Sequence, residues 1–409
     1  MKYVIIGNSA AAVGCIEGIR SIDKEGEITV ISDEIYHTYS RPLISYYLSG
    51  KTAEDKIYYR DKDFYVNNNC KTLLGKRAIK IDSINKNVVL DDNSKISYDK
   101  LLVATGSRPF VPNIEGYDKV TNKFTFLKYD DAKALEKVIN PESKVLIIGA
   151  GLIGLKCAEG LYDKVGSITV IDLADRVLSS ILDVKGSEIM MEHLTKKGIN
   201  IILSDSIEKF EENKAYTKSS KTIDFDICVM AVGVRPNVEL LLDAGAKINK
   251  GAVVNDRQET NVQDIYSAGD CCESFDISLG SNRILALLPN AYLQGETAGI
   301  NMAGGDKEFN KAIPMNAIGL LGLHIITAGS YIGESNAFYD ENGYKNLFIN
   351  QNHLSGYILI GDIKRAGIYT SLIREQVPLS EVDLELLLKA PQLMMFSKEK
   401  RAEKLGVKR

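Results

Sequence analysis

An α/β fold that contains two copies of one strand–helix–strand unit is the architecture that this 409-residue sequence predicts. The first observation is VIIGNSAAAVG at residues 4–14, where an apolar run leads through a turn of small residues into a helix. The second is VLIIGAGLIGLKCAEG at residues 145–160, which has the same order. The third is that the same β-branched segment, ITVI, follows each unit, at residues 28–31 and 168–171.

The composition is that of an ordinary globular chain, and the length favours two or three domains. The formal net charge of −4 gives no overall attraction to nucleic acid or to an anionic membrane. Six cysteines without a CxxC pair predict neither a disulfide framework nor a metal site. Residues 316–333 are apolar but contain polar side chains and glycines, which argues against a membrane span. We therefore expect a cytoplasmic protein with reduced thiols.

The glycine spacing of the second unit is typical of a dinucleotide-binding turn. The first glycine makes the tight turn, the second lets the backbone approach a pyrophosphate, and the third lets the helix pack closely on the strand. The helix N-terminus presents N–H groups to the phosphates, and an acidic residue after the second strand accepts hydrogen bonds from ribose hydroxyls. Gly149, Gly151, Gly154 and Asp172 meet all of these requirements.

The first unit departs from this pattern. When Gly7 is placed on Gly149, Ser9 and Ala12 stand where the second and third glycines are expected, and Asp33 lies just after the second strand. Small residues still permit the close approach of a ligand, so we expect a dinucleotide here too. Two sites of different composition predict two different ligands.

Three further strands end in turns of small residues: LLVATG at 101–106, DICVMAVG at 226–233 and IYSAGD at 265–270. With the two units, they resemble the FAD- and NAD-linked pyridine nucleotide oxidoreductases over essentially the full chain. The resemblance is strongest to the NADH:rubredoxin reductases and to the flavin half of assimilatory nitrite reductases. The segments that match this branch are YSRPLISYYLSGK (39–51), TGSRPF (105–110), LLPNAYLQGETAGINMAG (287–304) and YTSLIREQVPLSEVD (369–383).

The resemblance implies two Rossmann-like domains and a small C-terminal α+β domain. The FAD domain would comprise residues 1–108 and 235–305, the NADH domain residues 109–234, and the C-terminal domain residues 310–409. FAD and NADH are the cofactors that this resemblance implies. Asp172 favours NADH over NADPH, because its carboxylate would bond a ribose hydroxyl and repel a 2′-phosphate, although Arg176 lies nearby.

The site residues follow from the same resemblance. The FAD-binding residues would be Gly7, Ser9, Ala11, Ala12, Asp33, Glu34, Arg41, Pro42, Ala78, Ala104, Thr105, Gly106, Gly269, Asp270 and Asn290. The NAD-binding residues would be Gly149, Gly151, Leu152, Ile153, Gly154, Glu159, Asp172 and Gly233. In the family, Asp33 or Glu34 would meet the adenosine ribose and Glu159 would lie beside the nicotinamide; an exposed helical glutamate is the alternative for Glu159. Hydride transfer between the cofactors needs no protein proton donor, so no residue is assigned as catalytic.

A missing thiol is the most informative departure from the superfamily. Its disulfide reductases carry a CxxxxC pair early in the chain, whereas residues 36–51 contain no cysteine. Electrons would therefore leave the flavin directly, which predicts a small one-electron iron–sulfur carrier, rubredoxin or ferredoxin, as partner. Tyr46 stands where several ferredoxin reductases have a lysine near the flavin.

Other interpretations stay open at this point. The chain would alternatively be an NADH oxidase, a stand-alone partner of a nitrite reductase, or an NADH-sensing interaction protein. The C-terminal tail is basic, and its charges would either steer an acidic carrier or simply be solvated. Those charges are Lys398, Lys400, Arg401, Lys404, Lys408 and Arg409.

Overall fold

The computed structural model describes residues 1–406 and divides the chain into two compact units. The first unit contains residues 1–180, 187–274 and 282–310. The second contains residues 181–186, 275–281 and the chain from residue 311 onward. Within residues 1–406, every helix is too short or too polar to cross a lipid bilayer.

Strands and α-helices are numbered along the chain. The strands are β1 (Lys2–Ile6), β2 (Glu27–Ser32), β3 (Cys70–Leu74), β4 (Ala78–Asp82), β5 (Asn87–Leu90), β6 (Lys95–Ser97), β7 (Lys100–Val103), β8 (Ser107–Pro109), β9 (Lys123–Thr125), β10 (Lys144–Ile148), β11 (Ser167–Ile171), β12 (Asn200–Ile202), β13 (Ile207–Glu211), β14 (Lys214–Thr217), β15 (Thr222–Asp224), β16 (Ile227–Met230), β17 (Val234–Pro236), β18 (Ile265–Ser267), β19 (Ser274–Asp276), β20 (Ser281–Arg283), β21 (Met315–Leu320), β22 (Leu323–Gly329), β23 (Glu334–Asp340), β24 (Gly343–Asn350) and β25 (His353–Gly361). The α-helices are α1 (Ala10–Ile22), α2 (Ile44–Leu48), α3 (Phe64–Asn67), α4 (Tyr129–Val138), α5 (Leu152–Leu161), α6 (Val184–Lys196), α7 (Glu239–Asp243), α8 (Leu288–Met302), α9 (Ala366–Arg374), α10 (Leu384–Lys389) and α11 (Lys398–Lys404).

Two five-stranded parallel sheets form the framework of the first unit. Their strand orders are β18-β7-β1-β2-β3 and β12-β11-β10-β16-β9, so β1 and β10 are the central strands. Both central strands are apolar and buried from their second residue onward, as expected for strands covered on both faces. The predicted α/β class with two Rossmann-like sheets is confirmed.

The internal repeat is structural as well as sequential. β1 pairs with β2 from Lys2–Glu27 to Ile6–Ile31, and β10 pairs with β11 in the same register. Just after each central strand, the N–H of Gly7 donates at 2.8 Å to the carbonyl oxygen of Ile31 on β2, and the N–H of Gly149 donates at 2.8 Å to that of Ile171 on β11. The same sequence pattern therefore produces the same strand–turn–helix geometry twice.

Helices α1 and α8 pack at backbone contact on the first sheet. A Cβ on Gly295 would lie only 1.9 Å from the carbonyl oxygen of Ala11. Four glycines on the facing sides of the two helices would clash in this way: Gly14, Gly18, Gly295 and Gly299. The spacing of four residues on each helix puts its glycines on one face, so the two N-termini are held in a fixed relation.

Two short strands carry the chain between the two parallel sheets. β8 and β17 pair antiparallel, with Ser107 opposite Pro236 and Pro109 opposite Val234. These strands contain the boundaries predicted at 108/109 and 234/235. The assignment of the two sheets to separate cofactor domains stays a prediction.

The second unit is an α+β domain, as predicted. Its antiparallel sheet has the order β21-β22-β25-β24-β23, and α9 buries Tyr369 and Leu372 in the core of this unit. Residues 181–186 belong to this unit because Asp183 accepts hydrogen bonds from the Tyr344 hydroxyl at 2.6 Å and from the Asn346 amide at 2.8 Å. The contribution of this early segment was not predicted.

Candidate dinucleotide sites

The first glycine turn has a shape that only glycine can adopt. Gly7 has φ +119°, and a Cβ there would lie 2.1 Å from the carbonyl oxygen of Ala104. Ala104 opens the ATG turn after β7, so two predicted FAD-binding residues lie in contact. The backbone at this strand edge is open to a ligand because neither residue carries a bulky side chain.

Three helix N-termini are free of side-chain caps. Ser9 precedes α1, Gly151 precedes α5 and Leu287 precedes α8, and none makes a capping hydrogen bond. The first turn of each helix also lacks an acidic residue. Uncapped N–H groups and the positive end of the helix dipole suit phosphates and other anions. The first two turns therefore fit dinucleotides, and α8 fits a negatively charged group.

The second turn follows the glycine pattern in every detail. Gly149 has φ +118°, and a Cβ on Gly154 would lie 2.0 Å from the carbonyl oxygen of Gly149. The Asp172 carboxylate accepts the N–H of Ala150 at 2.5 Å and that of Ala174 at 2.8 Å. Asp172 is thus held against the glycine turn by two backbone hydrogen bonds.

The other predicted NAD-binding residues lie around this turn. Leu152 and Ile153 form the partly exposed first turn of α5, and Gly233 has φ +115° beyond β16. Arg176 pairs with Asp175 at 2.8 Å. The Asp175 carboxylate thereby offsets part of the positive charge with which Arg176 would attract a 2′-phosphate.

The two acidic candidates of the first unit differ in environment. Glu34 is buried, with 9% of its surface exposed, and accepts hydrogen bonds from Tyr39 and Arg41, each at 2.6 Å. Asp33 is exposed and pairs with Lys128 at 3.1 Å. Because Glu34 already satisfies two donors, Asp33 has the carboxylate that is more accessible to a ribose.

Gly269 and Asp270 lie beside the first turn. The N–H of Gly269 donates to Gln294 at 2.7 Å, and a Cβ on Gly269 would touch that of Ala11 at 3.5 Å. Asp270 accepts a hydrogen bond from Ser107 at 3.0 Å. Burial raises the pKa of the Asp270 carboxyl, although that hydrogen bond and the charge of Arg41 act in the opposite direction. The carboxyl retains capacity for further hydrogen bonds to a polar ligand.

The remaining predicted FAD-binding residues are spread around this site. Ala78 begins β4 and is buried, Pro42 is exposed in a short 3-10 turn, and Asn290 is buried in the first turn of α8. Ala12 is buried within α1, and Gly106 has φ +64°.

Asn237 is a site residue that sequence reasoning missed. The Thr105 hydroxyl donates to the Asn237 carbonyl at 2.7 Å, and the Asn237 amide donates back to the Thr105 carbonyl at 2.9 Å. This reciprocal pair joins the ATG turn to the end of β17. The available signal was the repeated Arg-Pro dipeptide, at 108–109 and 235–236, just before Asn237.

Four side chains form what we call the junction cluster: Tyr46, Lys51, Lys156 and Glu159. Glu159 is buried, with 4% of its surface exposed, which excludes the alternative of an exposed helical glutamate. It pairs with Lys156, and the Lys51 ammonium lies 3.8 Å from its other oxygen. The Lys156 ammonium also lies 4.3 Å from the centre of the Tyr46 ring. The sequence did not predict either lysine.

The cysteines are free thiols, and five of the six are buried. Burial raises the pKa of the partly exposed Cys70 to about 11 and that of Cys228 to about 12. The thiols are therefore protonated at neutral pH and poor nucleophiles. Within residues 1–406, no group of three or more His, Cys, Asp or Glu side chains is arranged to hold a metal ion.

The described part of the basic tail forms ion pairs with acidic residues. In α11, Lys404 pairs with Glu375 at 3.0 Å and Lys400 lies 3.7 Å from Glu381. Lys408 and Arg409 lie outside the described residues. Part of the tail's charge is therefore already neutralised.

Family models match the chain in two places. The model described as "Pyridine nucleotide-disulphide oxidoreductase" matches residues 1–295, and the model described as "Rubredoxin NAD+ reductase C-terminal domain" matches residues 314–377. The first match contains both glycine turns and the junction cluster. The second lies in the antiparallel unit.

Relatives of known activity extend over most of the chain. The NADH-dependent phenylglyoxylate dehydrogenase subunit epsilon of Aromatoleum evansii is 30% identical over 393 residues, 93% of each chain. The NADH oxidase of Methanocaldococcus jannaschii is 36% identical over 76% of this chain and 71% of its own. The NADH-rubredoxin oxidoreductase of Clostridium acetobutylicum is 30% identical over 88% of this chain and 91% of its own.

A solved structure and two longer proteins are also similar to this chain. The crystal structure of NADH:rubredoxin oxidoreductase from Clostridium acetobutylicum covers 95% of this chain and 99% of its own, with a TM-score of 0.75 and 25% identity. The chain spans about half the length of the nitrate and nitrite reductase relatives from Bacillus subtilis, at 49% and 48%. On the extent of these matches, the chain belongs to the pyridine nucleotide-disulphide oxidoreductase family.

Proposed function

We propose that this protein oxidises NADH and passes the electrons through FAD to a small one-electron iron–sulfur carrier such as rubredoxin. One observation carries the proposal: a rubredoxin reductase C-terminal domain at residues 314–377 follows two dinucleotide turns on the same chain. Bound FAD supplies the chemistry, since it accepts a hydride and releases electrons singly.

In this proposal, residues 1–108 and 235–305 hold FAD. The turn from Gly7 to Ala12 binds the pyrophosphate, with Ser9 and Ala11 contributing N–H groups. Asp33, rather than Glu34, bonds the adenosine ribose because its carboxylate is exposed. Asp270, supported by Ser107, bonds hydroxyl groups between the phosphates and the flavin.

Residues 109–234 bind NADH in this proposal. The N–H groups at Gly151, Leu152 and Ile153 receive the phosphates at the start of α5. The Asp172 carboxylate accepts a hydrogen bond from the ribose and repels a 2′-phosphate. The protein thus orients NADH and selects against NADPH by charge.

The protonated thiols support direct transfer from flavin to carrier. Among the six cysteines, all of which lie within residues 1–406, Cys70 alone is not fully buried, and its pKa is raised to about 11. A thiol relay would need a nucleophilic thiolate near neutral pH. The six free thiols also fit a reducing compartment, so we place the protein in the cytoplasm.

The test is steady-state turnover with NADH and a panel of rubredoxins and ferredoxins, compared with oxygen consumption under the same conditions. The proposal requires carrier reduction to be much faster than oxygen reduction. Equal rates would favour an NADH oxidase, the activity named for the 36%-identical relative. Slow turnover with every acceptor, despite reduction of bound flavin by NADH, would favour a sensor or a nitrite reductase partner.

A further inference from the structure

A groove in the second unit lies outside both proposed dinucleotide sites. One wall is a single face of α9, whose lining residues recur at helical spacing: Ala366, Gly367, Thr370, Ser371, Arg374 and Glu375. The other wall is the face of β21 and β22 that carries Ala317 and, opposite it in the register, Ile326. The volume of this α9 groove is about 540 Å³, within the usual range of small-molecule sites, about 300–1,000 Å³.

The floor of the α9 groove is mainly apolar. The hydroxyls of Tyr357 and Thr370 share a hydrogen bond of 2.7 Å, and the Thr370 hydroxyl donates to the carbonyl oxygen of Ala366 at 3.0 Å. Because these hydroxyls are already paired, the two residues offer a ligand mainly ring and methyl surface. Met315 and Ile326 add apolar side chains beside them. A ligand on this floor must therefore be apolar along its body.

The rim of the α9 groove has one cation without a partner. The Ser371 hydroxyl donates to Glu375 at 2.7 Å, and the other oxygen of Glu375 pairs with Lys404 at 3.0 Å. The Arg374 guanidinium, in contrast, makes no hydrogen bond or ion pair with any group that the structure describes in residues 1–406. Burial raises the pKa of the Tyr357 hydroxyl, whereas the nearby charge of Arg374 acts in the opposite direction. The guanidinium therefore lies within electrostatic reach of the groove floor.

Charge and length define the ligand that fits. A guanidinium matches a carboxylate, which can accept two parallel hydrogen bonds from it. One guanidinium balances one negative charge, and the neighbouring Glu375 disfavours a second, which argues against a phosphate dianion. From Gly367 to Arg374 the helix rises by about 10 Å, at about 1.5 Å per residue. The apolar body can thus extend over about 10 Å from the charged head.

We infer that the α9 groove binds a monocarboxylate with an extended apolar body, specifically a fatty acid of medium chain length. Its carboxylate pairs with Arg374, and its chain lies between α9 and the strands β21 and β22, over the ring of Tyr357. Binding there does not depend on which acceptor receives electrons from the flavin, so the proposed function and this site stand or fall separately.

The experiment measures the binding of octanoate to the full-length protein by isothermal titration calorimetry. Octanoate should bind at one site per chain with a dissociation constant below about 1 mM, which is within reach for a ligand of this size. Octanol lacks the carboxylate and acetate lacks the chain. Each should bind at least about tenfold more weakly than octanoate, because one loses the charge-assisted hydrogen bonds and the other the apolar contact.

Three variants separate the contributions of head and chain. Arg374→Met should weaken octanoate binding at least about tenfold and leave octanol binding unchanged, since only the charged contact is lost. Arg374→Lys keeps the charge without the planar fork, so its affinity should fall between those of wild type and Arg374→Met. Gly367→Leu should abolish the binding of both ligands by filling the groove. A Cβ on Gly367 meets nothing within 4 Å, and leucine favours a helix over glycine, so this variant should fold.

Lys364→Met is the matched control. Lys364 precedes α9, its side chain is 85% exposed, and it does not line the groove. This variant should bind octanoate with wild-type affinity.

Four results would overturn the inference. Octanoate that fails to bind at about 10 mM would exclude a fatty acid in the groove. Acetate bound as tightly as octanoate would indicate an anion site without an apolar part. Equal octanoate affinity in wild type and Arg374→Met would exclude the charged contact. If octanoate does not bind but Gly367→Leu raises the KM for rubredoxin, the groove receives an apolar side chain of a protein partner instead.

Discussion

Replacing Gly295 with alanine should separate two helices that both border the proposed FAD site. The new Cβ would start 1.9 Å from the carbonyl oxygen of Ala11, whereas real Cβ contacts are essentially never below 3.0 Å. The local distance must therefore grow by at least 1.1 Å, from 1.9 to 3.0 Å. The position of the Cβ is fixed by the backbone of α8, and the oxygen belongs to the backbone of α1, so no side-chain rotation relieves the clash.

The cost follows from two opposing effects. Overpacking of a filled interior costs about 1–3 kcal/mol. Alanine in place of a helical glycine contributes about 1 kcal/mol in the other direction. We expect the free energy of unfolding to fall by up to about 2 kcal/mol. FAD affinity should fall at least about tenfold, because an ångström-scale displacement misplaces binding groups.

Gly367 in α9 is a suitable control, because a Cβ there would meet nothing within 4 Å. Gly367→Ala should keep full FAD content and be slightly more stable than wild type. Denaturant unfolding and the ratio of flavin to protein absorbance measure both effects. Gly295→Ala with wild-type stability and full FAD content would refute the reasoning, since it would mean that α1 and α8 are not at backbone contact.

Three further outcomes are expected. Asp172→Asn should reduce the ratio of kcat/KM for NADH over that for NADPH by about tenfold, since the repulsion of a 2′-phosphate is lost while an acceptor for Ala150 remains; an unchanged ratio would show that Asp172 does not face the ribose. Alkylation of Cys70 should accelerate about tenfold per pH unit up to about pH 11, because its raised pKa keeps the thiol protonated below that value; fast alkylation at pH 8 would contradict the burial of its thiol. Deleting residues 397–409 should weaken the salt dependence of rubredoxin reduction if the tail steers the carrier. An unchanged salt dependence would show that Lys404 serves only its ion pair with Glu375.

The glycine turns could be recognised from sequence because their requirements are local. Gly7 and Gly149 need a positive φ where a strand turns into a helix, and that requirement comes from their neighbours in sequence. The atoms that a Cβ would strike belong to Ala104 and Ala231, which are distant in sequence. The repeated ITVI strands were equally clear, because a buried parallel strand has an apolar pattern of its own. These features sufficed to predict the α/β class and both dinucleotide turns.

The chemistry around the turns was decided by contacts between distant parts of the chain. Asp33 and Glu34 are adjacent in sequence, and only the fold buries one against Arg41 and leaves the other exposed. Glu159 has the spacing of an ordinary helical glutamate, and only the fold buries it and brings the Lys51 ammonium within 3.8 Å of its carboxylate. Sequence by itself determined the turns and strands, because backbone conformation and apolar pattern are local properties. Tertiary structure alone decided burial and charge pairing, because both depend on how separate segments pack together; Lys51 and Glu159, for example, are more than one hundred positions apart in the sequence.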